Sequence, residues 1–532
     1  MSSDDIKPAP HASRRSVLAT GMAAGGMLLT NTPTRVFAQG GPAPAVRLVS
    51  QETERTLPAR FWGYNCPVPF VPFEDPAFVP ALKALGPQFL RFPGGTIGNY
   101  YNWHTGYMEV PDAGAAGSPF RELFAHKMST WMKKLHPKGF WIEQWDKIAR
   151  DVSADLVINA NLETSTPDDQ AARFADMKKK GIKATHLELG NEFFIAMFDD
   201  MGRKRFPDPQ TTNKIVKEFY DAIRPQLPAG AKVAVQSSGS AFEKAEPSMK
   251  GGRPAWDNIT QQRIWEWDQA LKPEPWFDAV TVHLYPTETR SAGADLVKAL
   301  PGSVEAVFDA MVARADGGYD RVLNDLAGRV PGKEIWVTEY GAFDPQQMFY
   351  GSPLHFTGLW LHQVTREMLT MMRHPQVTVS CYHAIYFAEN ALMSSIALKD
   401  GGSSPTNASL VQSWLFHASR GPGCTWQRLR VDGANRVSAN GTIPGESFLD
   451  VEAGLFRKGT QHTLFVHNAS RTARRIDLSQ IAPPQAVVKA ETIVTPDLLA
   501  SLETAAAAPQ PLTVVPSLEA PAYSLTKVTW SA

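Results

Sequence analysis

The chain has 532 residues, 43% hydrophobic and 20% charged, values that exclude wholesale disorder. Lys+Arg and Asp+Glu are both 53, so the formal net charge is zero, which excludes the electrostatic footprint of a nucleic-acid binder and the basic surface that holds an anionic membrane. The 14 Trp, 12 Tyr and 27 Phe suit sugar platforms and core packing alike.

Residues 1–38 do not read as part of a fold. Ser13-Arg14-Arg15-Ser16-Val17-Leu18 sets paired arginines before a mildly apolar run, Ala19 to Leu29, and Val36-Phe37-Ala38 offers a small residue for cleavage. The run is too short and Gly-rich to span a bilayer. The segment resembles a bacterial twin-arginine signal, which exports proteins already folded and implies a periplasmic or secreted chain. Without it the formal charge is −2, from 49 basic and 51 acidic residues. No later stretch has 18 continuous apolar residues, so no membrane association is expected after signal removal. Cys66, Cys381 and Cys424 make neither a disulfide framework nor a zinc template.

From residue 60 to about 390, eight short apolar runs alternate with amphipathic stretches. They are 61–66, 89–92, 155–161, 185–189, 232–237, 279–285, 334–338 and 377–386. Runs this short and this continuously apolar suit strands buried on both faces. Helical patterns fall at 141–152, 166–180, 213–227, 261–271, 303–313 and 356–373. Eightfold strand–helix alternation predicts an α/β fold of the (β/α)8 TIM barrel type, here over 39–420. An open doubly wound sheet would usually carry a Gly-rich phosphate loop after its first strand, and Phe61–Pro67 has none. Cys66 and Cys381 fall on runs one and eight, neighbours in a closed barrel. A disulfide there and a pair of reduced core thiols both stay open.

After about Gly421 short strand-like runs are cut by Gly, Asn and Pro. They predict an antiparallel β-sandwich domain over 421–532. Ala45–Ser50 can add a strand to it, and Ala505–Ala508 reads as a loop.

Reacting groups in such barrels lie at the C-terminal strand ends. Run four ends Leu189-Gly190-Asn191-Glu192 and run seven ends Thr338-Glu339-Tyr340. Two carboxyls facing each other at that rim meet the needs of glycoside hydrolysis, one to donate a proton and one to attack the anomeric carbon or activate water. Run two continues Arg91-Phe92-Pro93-Gly94-Gly95-Thr96-Ile97-Gly98-Asn99-Tyr100-Tyr101-Asn102-Trp103. A guanidinium at a buried strand end needs an anionic partner, and a rim carboxylate is the natural one. Period-two alternation puts His283 and Tyr285 on one side of run six. Asn65, Asn159 and Asn161, at the ends of runs one and three, and His383 within run eight are further candidates for sugar hydroxyls. Nothing in the spacing of His104, His283 and His383 supports a metal site, and no cofactor is expected.

Together these motifs resemble clan A glycoside hydrolases, retaining (β/α)8 enzymes with Glu after strands four and seven. RFPGGTIGNYYNW, ending at Trp103, and LGNE look most like the α-L-arabinofuranosidases of family 51. The β-sandwich also fits families 39 and 79. The resemblance implies Glu192 as acid/base, Glu339 as nucleophile, Asn191 on the hydroxyl next to the anomeric carbon, and Arg91 and Tyr285 holding Glu339. It implies a carbohydrate substrate and no cofactor. Phe193-Phe194-Ile195 after Glu192 and Tyr-Gly after Glu339 depart from the arabinofuranosidase pattern. A β-glucuronidase or β-xylosidase of the same clan stands as the alternative, and a non-catalytic exported carbohydrate-binding protein as the rival of another class. Sugar, linkage and oligomeric state stay open.

Overall fold

A computed structural model describes residues 45–531 apart from 51–52, 68–69, 111–128, 196–203, 240–247, 251–252, 256–258, 286–303, 342–355, 387–394, 400–401, 440–445, 484–487, 504–508 and 513–516. The signal-like segment and the Ala505–Ala508 loop lie outside the described residues.

The first strand, β1 (Ala45–Val49), precedes a closed barrel of parallel strands. These are β2 (Trp62–Asn65), β3 (Phe89–Phe92), β4 (Asp155–Ala160), β5 (His186–Leu189), β6 (Lys232–Gln236), β7 (Ala279–Leu284), β8 (Glu334–Tyr340) and β9 (Val377–His383). All eight fall on the runs predicted from sequence. The connecting helices include α1 (Phe78–Leu85), α2 (Ile142–Val152), α3 (Pro167–Lys179), α4 (Pro209–Ile223), α5 (Ile259–Ala270), α6 (Val304–Ala313), α7 (Tyr319–Arg329) and α8 (Gly358–Arg373). Their starts are written locally. Thr166 accepts from the Asp169 amide ahead of α3, Asp208 accepts from the Thr211 amide ahead of α4, and Pro follows each cap. Proline suits the first helical position because its missing N–H would have had no helical partner.

Strand alternation sorts the barrel interior into layers. Phe89, Val157, Ala234, Ala279, Trp336, Val379 and Cys381 form an apolar layer. Two residues along the strands, Arg91, Asn159, Thr281 and Thr338 are buried and polar, as is Glu188 on β5. Chemistry therefore starts one layer above a dry plug.

Thr425–Asp432, Val451–Lys458, Gln461–Asn468, Ser524–Ser531 and Lys489–Val494 pair antiparallel in that order in a second sheet. β1 joins it, antiparallel to Thr425–Asp432 and parallel to Arg474–Asp477. Residues from both ends of the order share one core, Val46 and Leu518 with Val466 and Val528 among them. Leu449 and Val451 belong to different strands because Asp450 between them is used as an anchor: its carboxylate accepts from the Asn435 amide at 2.7 Å and binds the Arg474 guanidinium. Ser447–Leu449 pairs with Arg436–Ser438, a short strand with little apolar signal. Cys66, Cys381 and Cys424 are free buried thiols, which resolves the open alternative for the first two.

The sandwich meets the barrel through α8. Arg366 bonds Asp316, in the π-helical turn Arg314–Gly318, at 3.1 Å, and also Glu452. His362 Nδ1 lies 2.6 Å from His467 Nε2, and His362 Nε2 lies 2.8 Å from the Thr495 hydroxyl. Burial pushes the His362 imidazole down to about 3 and His467 well below its ordinary value. Both rings are thus neutral in the fold, whereas in the unfolded chain each takes a proton near pH 6.5. Their contribution is complete above that pH and is lost as pH falls toward about 3. Below pH 6, stability of the His362→Gln/His467→Gln variant should fall more gently than wild type, by about 1.4 kcal/mol per pH unit for each imidazole removed. Urea unfolding between pH 6 and 4 measures both slopes, and equal slopes would contradict the account.

Candidate active site

The buried end of the mouth is organised by one cation. Arg91, on β3, is fully buried. Its Nε and Nη2 bind the Glu188 carboxylate at 2.7 and 2.9 Å. Nη1 reaches Glu339 Oε1 at 2.6 Å, and Nη2 also reaches Asn191 Oδ1 at 2.7 Å. A guanidinium cannot shed its charge, so in this dry setting it demands carboxylates with matching fork geometry.

Both Thr338 and Glu339 face the site although they are adjacent in sequence. The register of β7 against β8 shifts so that Val282 pairs with Val337 and His283 with Glu339. That irregularity breaks strict alternation and turns two consecutive side chains inward. Thr338 donates to Glu188 Oε1 at 3.1 Å, while Glu339 takes Arg91. Tyr285 donates to the other Glu339 oxygen at 2.6 Å. His283 Nδ1 and His383 Nδ1 each lie 3.7 Å from that same oxygen. Burial alone would raise the Glu339 pKa. The neighbouring His283, His383 and Arg91, with the Tyr285 hydrogen bond, hold it well below the usual carboxylate range instead. Burial also lowers His383, whereas at His283 the two nearby glutamates override burial and raise it. Arg91 is the permanent charge among the three.

Glu192 follows β5 through Gly190 (φ +83°) and Asn191, and itself sits at φ +49°. A non-glycine residue in that region costs about 1–3 kcal/mol and persists only where its surroundings over-determine it. The Glu192 carboxyl oxygen lies 2.8 Å from His283 Nδ1, within hydrogen-bond distance. One oxygen of Glu192, one of Glu339 and a His283 ring nitrogen all lie within 4.8 Å of one another. At 15% exposure, the Glu192 side chain is the most accessible of the three.

Of the other predicted residues, Asn65 bonds His383, and its buried Oδ1 has no protein partner among the described residues. The same holds for Asn191 Nδ2. Asn159 donates to the Gly190 carbonyl at 2.7 Å and to Glu188 at 3.3 Å, so it supports the Glu192 turn from below. Asn161 is not brought to the pair. Its Oδ1 accepts the amides of Glu163 and Thr164, and its Nδ2 is bonded to the Tyr101 carbonyl and the Thr164 hydroxyl. Trp103 lies at the rim with its indole on Asp169 at 3.0 Å, beside His104. The glycines of the segment after β3 admit these side chains. A Cβ at Gly94 would fall 2.4 Å from Asn65 Oδ1, and one at Gly98 would fall 1.8 Å from Asn159 Oδ1.

Two site residues, and one buried acid away from the pair, were not anticipated. Glu188 is the bidentate partner of Arg91, and an acid inside the apolar run 185–189 was its only signal. Thr338 depends on the register shift, which no local pattern announces. The Glu163 carboxyl, pushed up to about 7 by burial, lies near Arg205 and Arg263 and bonds Tyr100. As a cation cage the Glu192–His283–Glu339 group is poorly suited. Arg91 and Tyr285 already occupy one oxygen each of Glu339, and Arg91 would repel an added cation. As an acid–nucleophile pair it is well suited: one carboxylate is held ionised at depth, and the other is reachable from solvent.

No protein-family model matches the chain, and no curated protein matches it in sequence. Solved structures do. The chain matches the GH51 arabinofuranosidase from Xanthomonas axonopodis pv. citri with a TM-score of 0.62 at 13% identity, over 92% of this chain and 100% of that one. The family 51 α-L-arabinofuranosidase from Bifidobacterium longum gives 0.63 at 15% identity, with 92% and 100% covered. A 4-O-α-L-rhamnosyl-β-D-glucuronidase from Fusarium oxysporum 12S gives 0.53 at 11%, with 91% and 100% covered. The chain therefore has the fold of the clan A glycoside hydrolases, as its motifs suggested.

Replacing Arg91 with Met leaves Glu188 and Glu339 buried without their shared cation. Removing one partner of such a buried set costs about 3–5 kcal/mol. Urea unfolding of Arg91→Met should read a loss of that size, and a loss below about 1 kcal/mol, the worth of an exposed pair, would refute the central role given to Arg91.

Proposed function

We propose that the protein is an exported retaining glycoside hydrolase that acts by double displacement. The observation that carries this reading is the convergence of Glu192 and Glu339, with carboxylate oxygens within 4.8 Å across an accessible mouth. Retaining enzymes hold their carboxyls at about 5–5.5 Å, whereas inverting enzymes need about 6.5–9.5 Å to seat a water. The fold likeness points the same way.

In the first step Glu339, kept ionised by Arg91 and Tyr285, attacks the anomeric carbon. The bond from that carbon to the aglycone oxygen breaks as Glu192 gives the oxygen its proton. A glycosyl ester on Glu339 results. In the second step Glu192, now a carboxylate, takes a proton from water. The water oxygen displaces Glu339 and releases the sugar with its original anomeric configuration. Asn191 Nδ2 is suited to the hydroxyl beside the anomeric carbon, since Arg91 fixes its amide from the other side. Asn65 Oδ1 offers an acceptor on the opposite wall, and His383 orients its amide. Water entry to the deep carboxylate is limited, which strengthens each of these interactions.

Within the clan we favour an α-L-arabinofuranoside, on the likeness of the RFPGG and LGNE segments and of the solved family 51 structures. A β-glucuronide or β-xyloside is the alternative. The twin-arginine segment supports a periplasmic or secreted site of action on a poly- or oligosaccharide.

Nitrophenyl α-L-arabinofuranoside, β-xyloside and β-glucuronide assayed side by side test the reading. At least one should release nitrophenol, with the first-formed sugar retaining its configuration by proton NMR. Glu339→Ala should lose activity by about 10⁴-fold or more and regain part of it with azide, which replaces the missing nucleophile. Inversion of configuration, or sugar binding without turnover on the whole panel, would overturn the proposal.

A further inference from the structure

The turn that carries Glu192 is closed from behind by a single side chain, Arg263 of α5, only 4% exposed. Its guanidinium donates to four backbone carbonyls. Nη2 binds Phe193 O at 2.9 Å and Phe206 O at 2.8 Å, Nε binds Phe194 O at 3.1 Å, and Nη1 binds Pro207 O at 3.0 Å. Two of these carbonyls directly follow Glu192, and two lie where the chain returns to enter α4. The same pinch is marked by the Phe193 and Phe206 rings, stacked at 3.9 Å. The guanidinium sits over the Trp267 ring at 4.6 Å, with the buried Glu163 carboxyl nearby.

We propose that Arg263 is a positioning residue for the general acid: by clamping both ends of the β5–α4 connection, it holds Glu192 in its left-handed backbone conformation and so aims its carboxyl at the leaving-group oxygen. The inference rests on the glycosidase reading for the role of Glu192, but not for the clamp itself. Every other contact of the turn is consistent with it. Ile195 N donates to Glu192 O at 3.0 Å, Phe193 N donates to Gln236 at 3.2 Å, and Asn99 donates to Asn191 O at 2.7 Å. Those contacts fix single atoms, whereas Arg263, alongside the Phe193–Phe206 ring stack, ties the outgoing end of the turn to the incoming one among the described residues. Its planar fork reaches carbonyls that a lysine ammonium, a single point of charge, cannot span together.

The test is Arg263→Lys, which keeps the charge beside Glu163. Misaiming an acid by about an ångström costs about 100-fold in kcat/KM on alkyl glycosides, while dinitrophenyl glycosides, whose leaving group needs no proton, should fall by less than about 3-fold. Glu192→Ala serves as the reference for this leaving-group pattern. Equal losses on both substrate types would make Arg263 a general structural residue, and no loss on either would make the clamp idle; both overturn the proposal. Hydrogen exchange supplies a readout free of activity, because amides of residues 190–195 should exchange faster in Arg263→Lys. If the wild-type chain cleaves no glycoside at all, the glycosidase reading fails, and unchanged exchange would then separately sink the clamp. Should Arg263→Lys not fold, Glu163→Gln/Arg263→Gln removes both charges together and carries the same two readouts.

Discussion

One buried guanidinium sets the terms for the whole barrel mouth. Arg91 cannot neutralise itself, so the structure must supply anions, and it supplies two in opposite roles. Glu188 takes the bidentate face and is spent on holding Arg91 still. Glu339 takes one nitrogen and keeps its second oxygen for Tyr285. A cation satisfied by Glu188 can lend its field to Glu339 without swinging to form a closed pair with it. Asn191 is drawn in by the same guanidinium, which couples the placement of the Glu192 turn to that of Glu339. The small residues after β3 follow from this crowding, since side chains at 94 or 98 would collide with Asn65 or Asn159.

How much of this was legible follows from what a linear pattern can encode. Parallel strands covered on both faces read as continuous apolar runs, so all eight barrel strands stood out. Acids placed just after two such runs were conspicuous for the same reason. Glu188 was harder because its meaning depends on Arg91, 97 positions away in sequence, reaching it across the barrel. Thr338 and Glu339 share a face only through a register shift against β7, a property of the strand pair that neither strand records alone. Asn161 shows that a strand-end amide serves equally well as a turn-former, since its oxygen caps two amides of its own loop. Asp450 interrupts an apolar stretch for a reason visible only once Asn435 and Arg474 lie beside it. The Arg263 clamp left no trace in sequence, because its partners are backbone carbonyls and carry no residue code.

Polar interiors recur at the seam between barrel and sandwich, with a different logic. Around the active site, charge is concentrated and partly left reachable. Along α8, Arg366 faces two acids and His362 faces His467, all buried. Such groups define one docking geometry sharply, since any other leaves a buried donor or acceptor without its partner. The sandwich is thereby seated on α8, the helix that leads into β9, and β9 brings His383 to Glu339.

The position of β1 carries a consequence for the order of events in synthesis. Arg47 pairs with Asp432, about 385 residues later, and lies between strands that are both made near the end of translation. At roughly 5–20 residues per second, the first strand waits about 20–80 s for its neighbours to leave the ribosome. The second sheet therefore cannot be sealed until the last strands have left the ribosome, so its first strand must stay unpaired while the barrel between is being made.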